Sequence, residues 1–395
     1  MDTDASDIGH RLRQIRHARR KSLSVVAGLA GISAPYLSML ETGQRALDRR
    51  SLISALAQAL DVAPSEITGA GLNIPGERDD DRAVDQVRRA LLAVAMNEPR
   101  GDVQSVEQLT ARVNEVLTAQ NNCDSVTVGA ALPTLIRDLH ATADAHRHER
   151  EVLRLLALAH MQCTQAWLTM VGAPVDLSWQ AASMARQAAE RLDEPLSLAV
   201  AAFGTSLGLL NAGAFDLASG TLARVDLPLL THEEVQLGGM LALASSLVSA
   251  ARNDASERTA ALEYAAELAE RTGETNLMGF GFGPSNVGVW RMQTALESGD
   301  YVEAAKIADL VNPDALTVRA RQAVYWREHG RALARLPKQR DTAVAMLRKA
   351  ELISPEHVHR HPFTRSVISE LVSRAKRDAV GRELRGIAFR AGLLV

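Results

Sequence analysis

The sequence predicts an all-α chain of more than one domain, and three observations carry that expectation. Alanine and leucine dominate a composition with only 4% aromatic residues, which favours helix throughout. No run of alternating β-branched residues is bounded by hairpin turns, so no sheet is expected. The third is length: 395 residues exceed what one compact core organises. Apolar residues at 47% and charged residues at 23% describe globular rather than disordered chain.

The N-terminal elements read clearly. Ile8, Leu12 and Ile15 recur at helical spacing and predict a helix over 8–20. Ser22 suits an N-cap, and Leu23, Val26 and Ala27 form a narrow apolar stripe over 23–30. Gly31 closes that helix, because a tight turn needs a left-handed residue. Ser33 caps the next helix, 34–41, with Pro35 in its first turn, where a missing N–H costs little. Leu37 and Leu40 point inward, while Ala34, Pro35, Tyr36, Ser38 and Met39 face outward or flank. Helices at 51–60 and 64–68 complete the set. A helix, a glycine turn and a second short helix make a helix-turn-helix, whose second helix can enter a DNA major groove.

This stretch resembles the DNA-binding domain of the XRE-type (Cro/lambda-repressor-like) regulators. The likeness rests on Ile8, Leu12, Ile15, Ala27, Gly31, Ile32, Ser33, Tyr36-Leu37-Ser38, Leu40-Glu41 and Gly43, and continues through Leu52, Leu56, Leu60 and Ile67. It implies a five-helix repressor-type domain over 7–69 that binds double-stranded DNA. Charge agrees: residues 10–50 carry nine basic side chains against Glu41 and Asp48, although the whole chain is −3.

Candidate DNA contacts follow from position. Ala34, Pro35, Ser38 and Met39 should face the groove floor, and Ser33 and Tyr36 should reach phosphates. Tyr36 also suits a partly exposed packing position and Met39 a core one. Ala, Pro and Met supply apolar contact to a thymine methyl but no bidentate hydrogen bond. That shifts weight to Arg45, Arg49 and Arg50 in and after the next loop, through the backbone or a narrow minor groove. Glu41 is expected to pair with an arginine.

Residues 70–81, with their Gly, Pro and acidic run, read as a linker. From 82 to 395 the chain reads as successive helices, among them 103–119. Two echoes suggest repeats: LLNAGAFDLASGTL (209–222) against ALESGDYVEAAKIA (295–308), and ERLDEPLSLA (190–199) against ERTGETNLMG (270–279). Trp290, Ala295, Gly299, Tyr301, Ala304, Ala305, Ala308 and Pro313 resemble a tetratricopeptide repeat. A weaker copy runs from Tyr325 to Pro355. The expected fold is therefore a repressor-type helix-turn-helix domain followed by a tetratricopeptide-like helical-hairpin solenoid.

Such arrays curve, and their inner helices line a groove suited to an extended partner. Asn286, beside Gly279-Phe280-Gly281-Phe282-Gly283, could hold a peptide backbone through its amide, or could equally satisfy groups at a helix end. Asn211, Arg291, Tyr264, Arg321, Tyr325 and Arg327 are further ligand-binding candidates. The order of domains resembles actinobacterial XRE regulators and RRNPP-type quorum-sensing regulators. It implies a homodimer on a palindromic operator, controlled by a peptide or small-molecule effector. The alternative is a scaffold tethered to DNA, with the array recruiting a protein partner.

Other classes find no support. The HVHRH run at 357–361 is expected in a loop, so its alternation places no ligand set on one face, and no metal is assigned. There is no phosphate loop, HExxH, G-x-S-x-G or CxxC pattern, hence no expected catalysis or cofactor. Two cysteines, Cys123 and Cys163, form no disulfide framework. With no expected membrane span or signal peptide, the expected location is cytoplasmic.

Overall fold

A computed structural model of the chain describes residues 8–68, 79–146, 148–375 and 378–393. Among them the fold is all-α, with one isolated antiparallel bridge, Thr275 to Phe282, and no strand.

The first domain is built from α1 (Ile8–Ala18), α2 (Leu23–Leu29), α3 (Ala34–Glu41), α4 (Arg50–Leu60) and α5 (Pro64–Thr68). Ser22 Oγ accepts the Val25 amide and Ser33 Oγ accepts the Tyr36 amide, each at 3.3 Å. Gly31 takes φ +69° at the turn. Leu12, Val26, Leu37, Leu40, Leu56 and Ile67 bury completely in one small core. Inside it Arg16 grips Glu41 in a bidentate pair, with Nε–Oε1 at 2.6 Å and Nη2–Oε2 at 2.7 Å. Arg16 therefore belongs to the domain's interior and is lost to the basic surface.

Most of the expected linker, 70–81, lies outside the described residues. Its last three, Asp79–Asp81, already belong to the helix Asp79–Ala95. Acidic residues suit a first turn, where the helix dipole is positive.

Beyond the linker, consecutive helices pack as pairs: Pro195–Asn211 with Phe215–Ala223, His232–Ala251 with Ala255–Thr272, Pro284–Glu297 with Tyr301–Leu310, and Arg319–Leu333 with Arg340–Ile353. The first members stack on each other in turn, Pro195–Asn211 on His232–Ala251, then on Pro284–Glu297, then on Arg319–Leu333. This is a helical solenoid. His232–Ala251 is long and apolar enough to cross a bilayer, yet most of that surface is buried against its neighbours.

The sequence echoes occupy equivalent places. Gly213 and Gly299, at φ +77° and +80°, turn the chain between the two helices of a pair. Asp193 and Gly273, also at positive φ, end the helices before the next pair starts. Ala304 and Ala308 bury completely, letting the paired helices approach closely.

The array closes on itself. The helix Val106–Asn121, which begins at a Ser105–Gln108 capping box rather than at 103, meets Arg319–Leu333. Ser125 Oγ donates to Glu356 Oε1 at 2.9 Å across the same seam. These contacts bring the early and late helices of the array together.

Candidate nucleic-acid interface and central cavity

Helix α3 presents Ser33 and Pro35 to solvent, with Ala34, Ser38 and Met39 half-buried. These are short or apolar side chains that can approach base edges and offer little hydrogen bonding of their own. Ala34 and Tyr36 also lean on the domain core. The Tyr36 hydroxyl lies near Tyr301 of the array, whose own hydroxyl proton is held more tightly because of burial, Asp48 and, least, Tyr36.

The loop after α3 does not behave as expected. Ala46 and Leu47 are buried, and their amides donate into the array: Ala46 to Glu370 Oε2 at 2.7 Å, Leu47 to Ser366 Oγ at 3.0 Å. Asp48 pairs with Arg335 Nη2 at 2.8 Å and accepts from the Tyr301 hydroxyl at 3.3 Å. Arg335 also holds the Ala46 carbonyl at 2.9 Å and pairs with Glu370. Phe363 of the array inserts into the helix-turn-helix core, with the Arg50 and Arg331 guanidinium groups 5.1 and 5.3 Å from its ring centroid.

Two of the expected DNA contacts, Arg50 and Arg49, are corrected here. Arg50 donates to Glu297 Oε2 at 3.1 Å and to Asn211 Oδ1 at 3.3 Å, so it faces the array. Arg49 packs beside Gly299, where an added Cβ would lie 3.0 Å from its Nη1. Arg45, the most exposed of the three, sits 3.9 Å from Glu370 Oε1. The physical reason for Arg50 is the buried carboxylate of Glu297 on the array, which draws its guanidinium inward. Arg19 and Lys21 donate to the carbonyls of Asp61 and Ala59, at 2.7 and 2.6 Å. Arg13, Arg20 and Arg45 stay exposed, and with the outer edge of Arg19 they are arginines this domain can offer to phosphate.

Between the two bodies lies a cavity of about 1490 Å³. One wall is α1, α4 and α5, contributing Arg11, Gln14, Ile53 and Pro64; the other is the inner layer of the array. The helix from Glu149 to Met170 loosens to a π-helical stretch at Ala159–Gln165, and Met161, Gln162 and Gln165 of that stretch line the cavity. Such stretches recur at functional sites because they re-aim side chains out of the regular ladder.

The ligand candidates read from sequence fare differently. Asn211 does line the cavity, engaged by Arg50. Asn286 is buried away from it, donating to the Gly281 carbonyl at 2.6 Å, which is the helix-end role rather than a peptide contact. The Gly-Phe-Gly-Phe-Gly run is no flexible approach. Phe280 and Phe282 are buried in the core, and Gly281 at φ +60° supplies the turn between them. Tyr325 is a core residue whose hydroxyl donates to the Ala308 carbonyl at 2.9 Å, and Arg291 is exposed elsewhere.

His357 and His359 lie on a short helix, Pro355–His359, and not in a loop; His361 caps the next one by accepting the Thr364 amide at 3.3 Å. No group of three or more metal-ligating side chains converges among the described residues. Asp48, Phe363, Glu370, Arg335 and the cavity were missed in the sequence reading. Ala46-Leu47, an apolar pair inside a supposedly exposed loop, was the one available signal.

Residues 7–68 match the family model described as a helix-turn-helix domain. No curated protein matches the chain, and no solved structure does. The five-helix domain with its capped α3 is thus a helix-turn-helix of the kind that binds DNA in regulators.

Proposed function

We propose that this chain is a sequence-specific transcriptional regulator, a homodimer on a palindromic operator, whose array senses a peptide or small-molecule signal. It is read as cytoplasmic and non-catalytic. The observation that carries the sensing half is the ownership of the cavity walls. One belongs to the helix-turn-helix domain and the other to the array. An occupant touching both favours one docking arrangement over another, and shifts the equilibrium by that difference in affinity.

Dimerisation follows from interface size. One small module buries too little DNA surface for tight selective binding, so two copies are needed on half-sites roughly 34 Å apart. Changing the docking of each domain changes that separation, and with it operator affinity.

Genome-wide occupancy of the intact protein tests the reading, beside Ser38→Glu, which sets a carboxylate on the outer face of α3. Sharp palindromic peaks that vanish in the variant are expected. Peaks that persist unchanged in the variant, or no reproducible peaks at all, overturn it.

A further inference from the structure

The cavity is electrostatically one-sided. Among the described residues its lining holds six arginines and one carboxylate, Glu356. Both Glu356 oxygens are taken by serine hydroxyls, Ser125 at 2.9 Å and Ser354 at 3.1 Å. Arg50 and Arg327 have their own partners in Glu297 and Glu328. Arg321 has no carboxylate or hydrogen-bond acceptor on its guanidinium among the described residues. Burial and the neighbouring Arg327 draw its proton affinity down, to a pKa of about 10. A cation held in a low-dielectric wall beside another cation is costly, and an anion beside it removes that cost.

The surrounding groups are neutral and polar in a way that suits the same occupant. Burial, then Arg327, keeps His357 and His361 uncharged. The His361 Nδ1 accepts from the Thr364 amide, so its proton sits on Nε2. On the same lining, Trp290 Nε1–H and Gln120 Oε1 are buried without a hydrogen-bond partner. Buried polar atoms of this kind are uncommon and point to a missing partner. Apolar surface from Met161, Phe203 and Leu247 shares the lining with them.

We propose that the cavity binds a small organic acid, its carboxylate or phosphate head on Arg321 and its apolar or aromatic body against Trp290, Phe203 and Met161. This rests on the sensor reading above and names its ligand class. The few unpaired groups argue against an extended peptide, each of whose residues brings an amide and a carbonyl that must be paired when buried. The helix-turn-helix wall also covers one side of the space, whereas an extended chain needs an open groove.

The test is a fluorescence titration of the full-length protein with 1-anilinonaphthalene-8-sulfonate, beside N-phenyl-1-naphthylamine, the same ring system without the anion. The expected result is saturation near one sulfonate dye per chain, at least tenfold tighter than the neutral dye. Arg321→Gln should weaken the sulfonate about tenfold, the scale of one charge-assisted contact, and leave the neutral dye unchanged. Arg321→Lys, which keeps the charge, should retain most of the affinity. Equal binding of both dyes, or an Arg321→Gln protein that binds the sulfonate as well as wild type, would overturn the proposal. No DNA enters this measurement, so its failure leaves the regulator reading standing, and a failed occupancy experiment leaves the ligand site standing.

Discussion

The outer face of α3 and the loop that follows it are neighbours in the chain and do opposite things. The α3 face carries Ser33, Pro35, Ser38 and Met39, without a charge, and looks outward. In the loop and the start of α4, Ala46, Asp48 and Arg50 turn inward onto Glu370, Arg335 and Glu297, while Arg45 stays exposed. Charge near a helix-turn-helix is therefore not in itself charge for phosphate. Here much of it fastens the DNA-binding domain to its array, and DNA is left with a small apolar reading face and the exposed Arg13, Arg19, Arg20 and Arg45 of the domain.

The largest expected effect breaks the loop side of this comparison. Arg335 is buried between Asp48 and Glu370. Burial works against its charge, and Asp48, Tyr301 and Glu370 outweigh that, so it holds its proton more tightly than a free arginine. Arg335→Ala leaves the buried Asp48 without its cation and Glu370 with only Arg374 at 3.2 Å and Arg45 at 3.9 Å, at a cost of about 3–5 kcal/mol. Denaturant unfolding should show this loss, with the helix-turn-helix domain melting ahead of the array. A single transition of unchanged midpoint would contradict the docking.

Acid should destabilise the array more gently. Burial, with Arg327 and Arg321 adding to it and Glu328 opposing, pushes His357 down to about 3. Between its ordinary value near 6.5 and that folded value, the unfolded chain binds the extra proton. Stability is therefore present above pH 6.5 and lost as pH falls toward 3, by ~2 kcal/mol at pH 5. His357→Gln should flatten the pH 7 to 5 slope of the melting temperature; an unaltered slope would count against a neutral buried imidazole.

The sequence disclosed the helix-turn-helix because its signals are local. Ser22 and Ser33 cap helices three residues away, Gly31 turns between them, and Leu37 and Leu40 bury within the same domain. Pairing of the later helices was legible for the same reason, in the glycines at 213 and 299 and the alanines at 304 and 308. The orientation of Arg50 was not, because what decides it lies far along the chain: Arg50 to Asn211 spans 161 positions and Arg50 to Glu297 spans 247. Tyr325 and Asn286 misled in the complementary way. Both are polar types at plausible groove positions, yet each satisfies a backbone carbonyl inside the array.

The most direct test of the contrast between reading face and docked loop is the salt dependence of duplex DNA binding. Each phosphate contact removed lowers the slope of log K against log salt by about 0.9. Arg20→Ala, at an exposed position, should lower the slope by about that amount while leaving the melting temperature unchanged. Arg50→Ala should leave the slope unchanged and lower the melting temperature. The reverse pattern, with Arg50 controlling the slope and Arg20 silent, would mean that the loop meets DNA and that the docking described here is not the binding state.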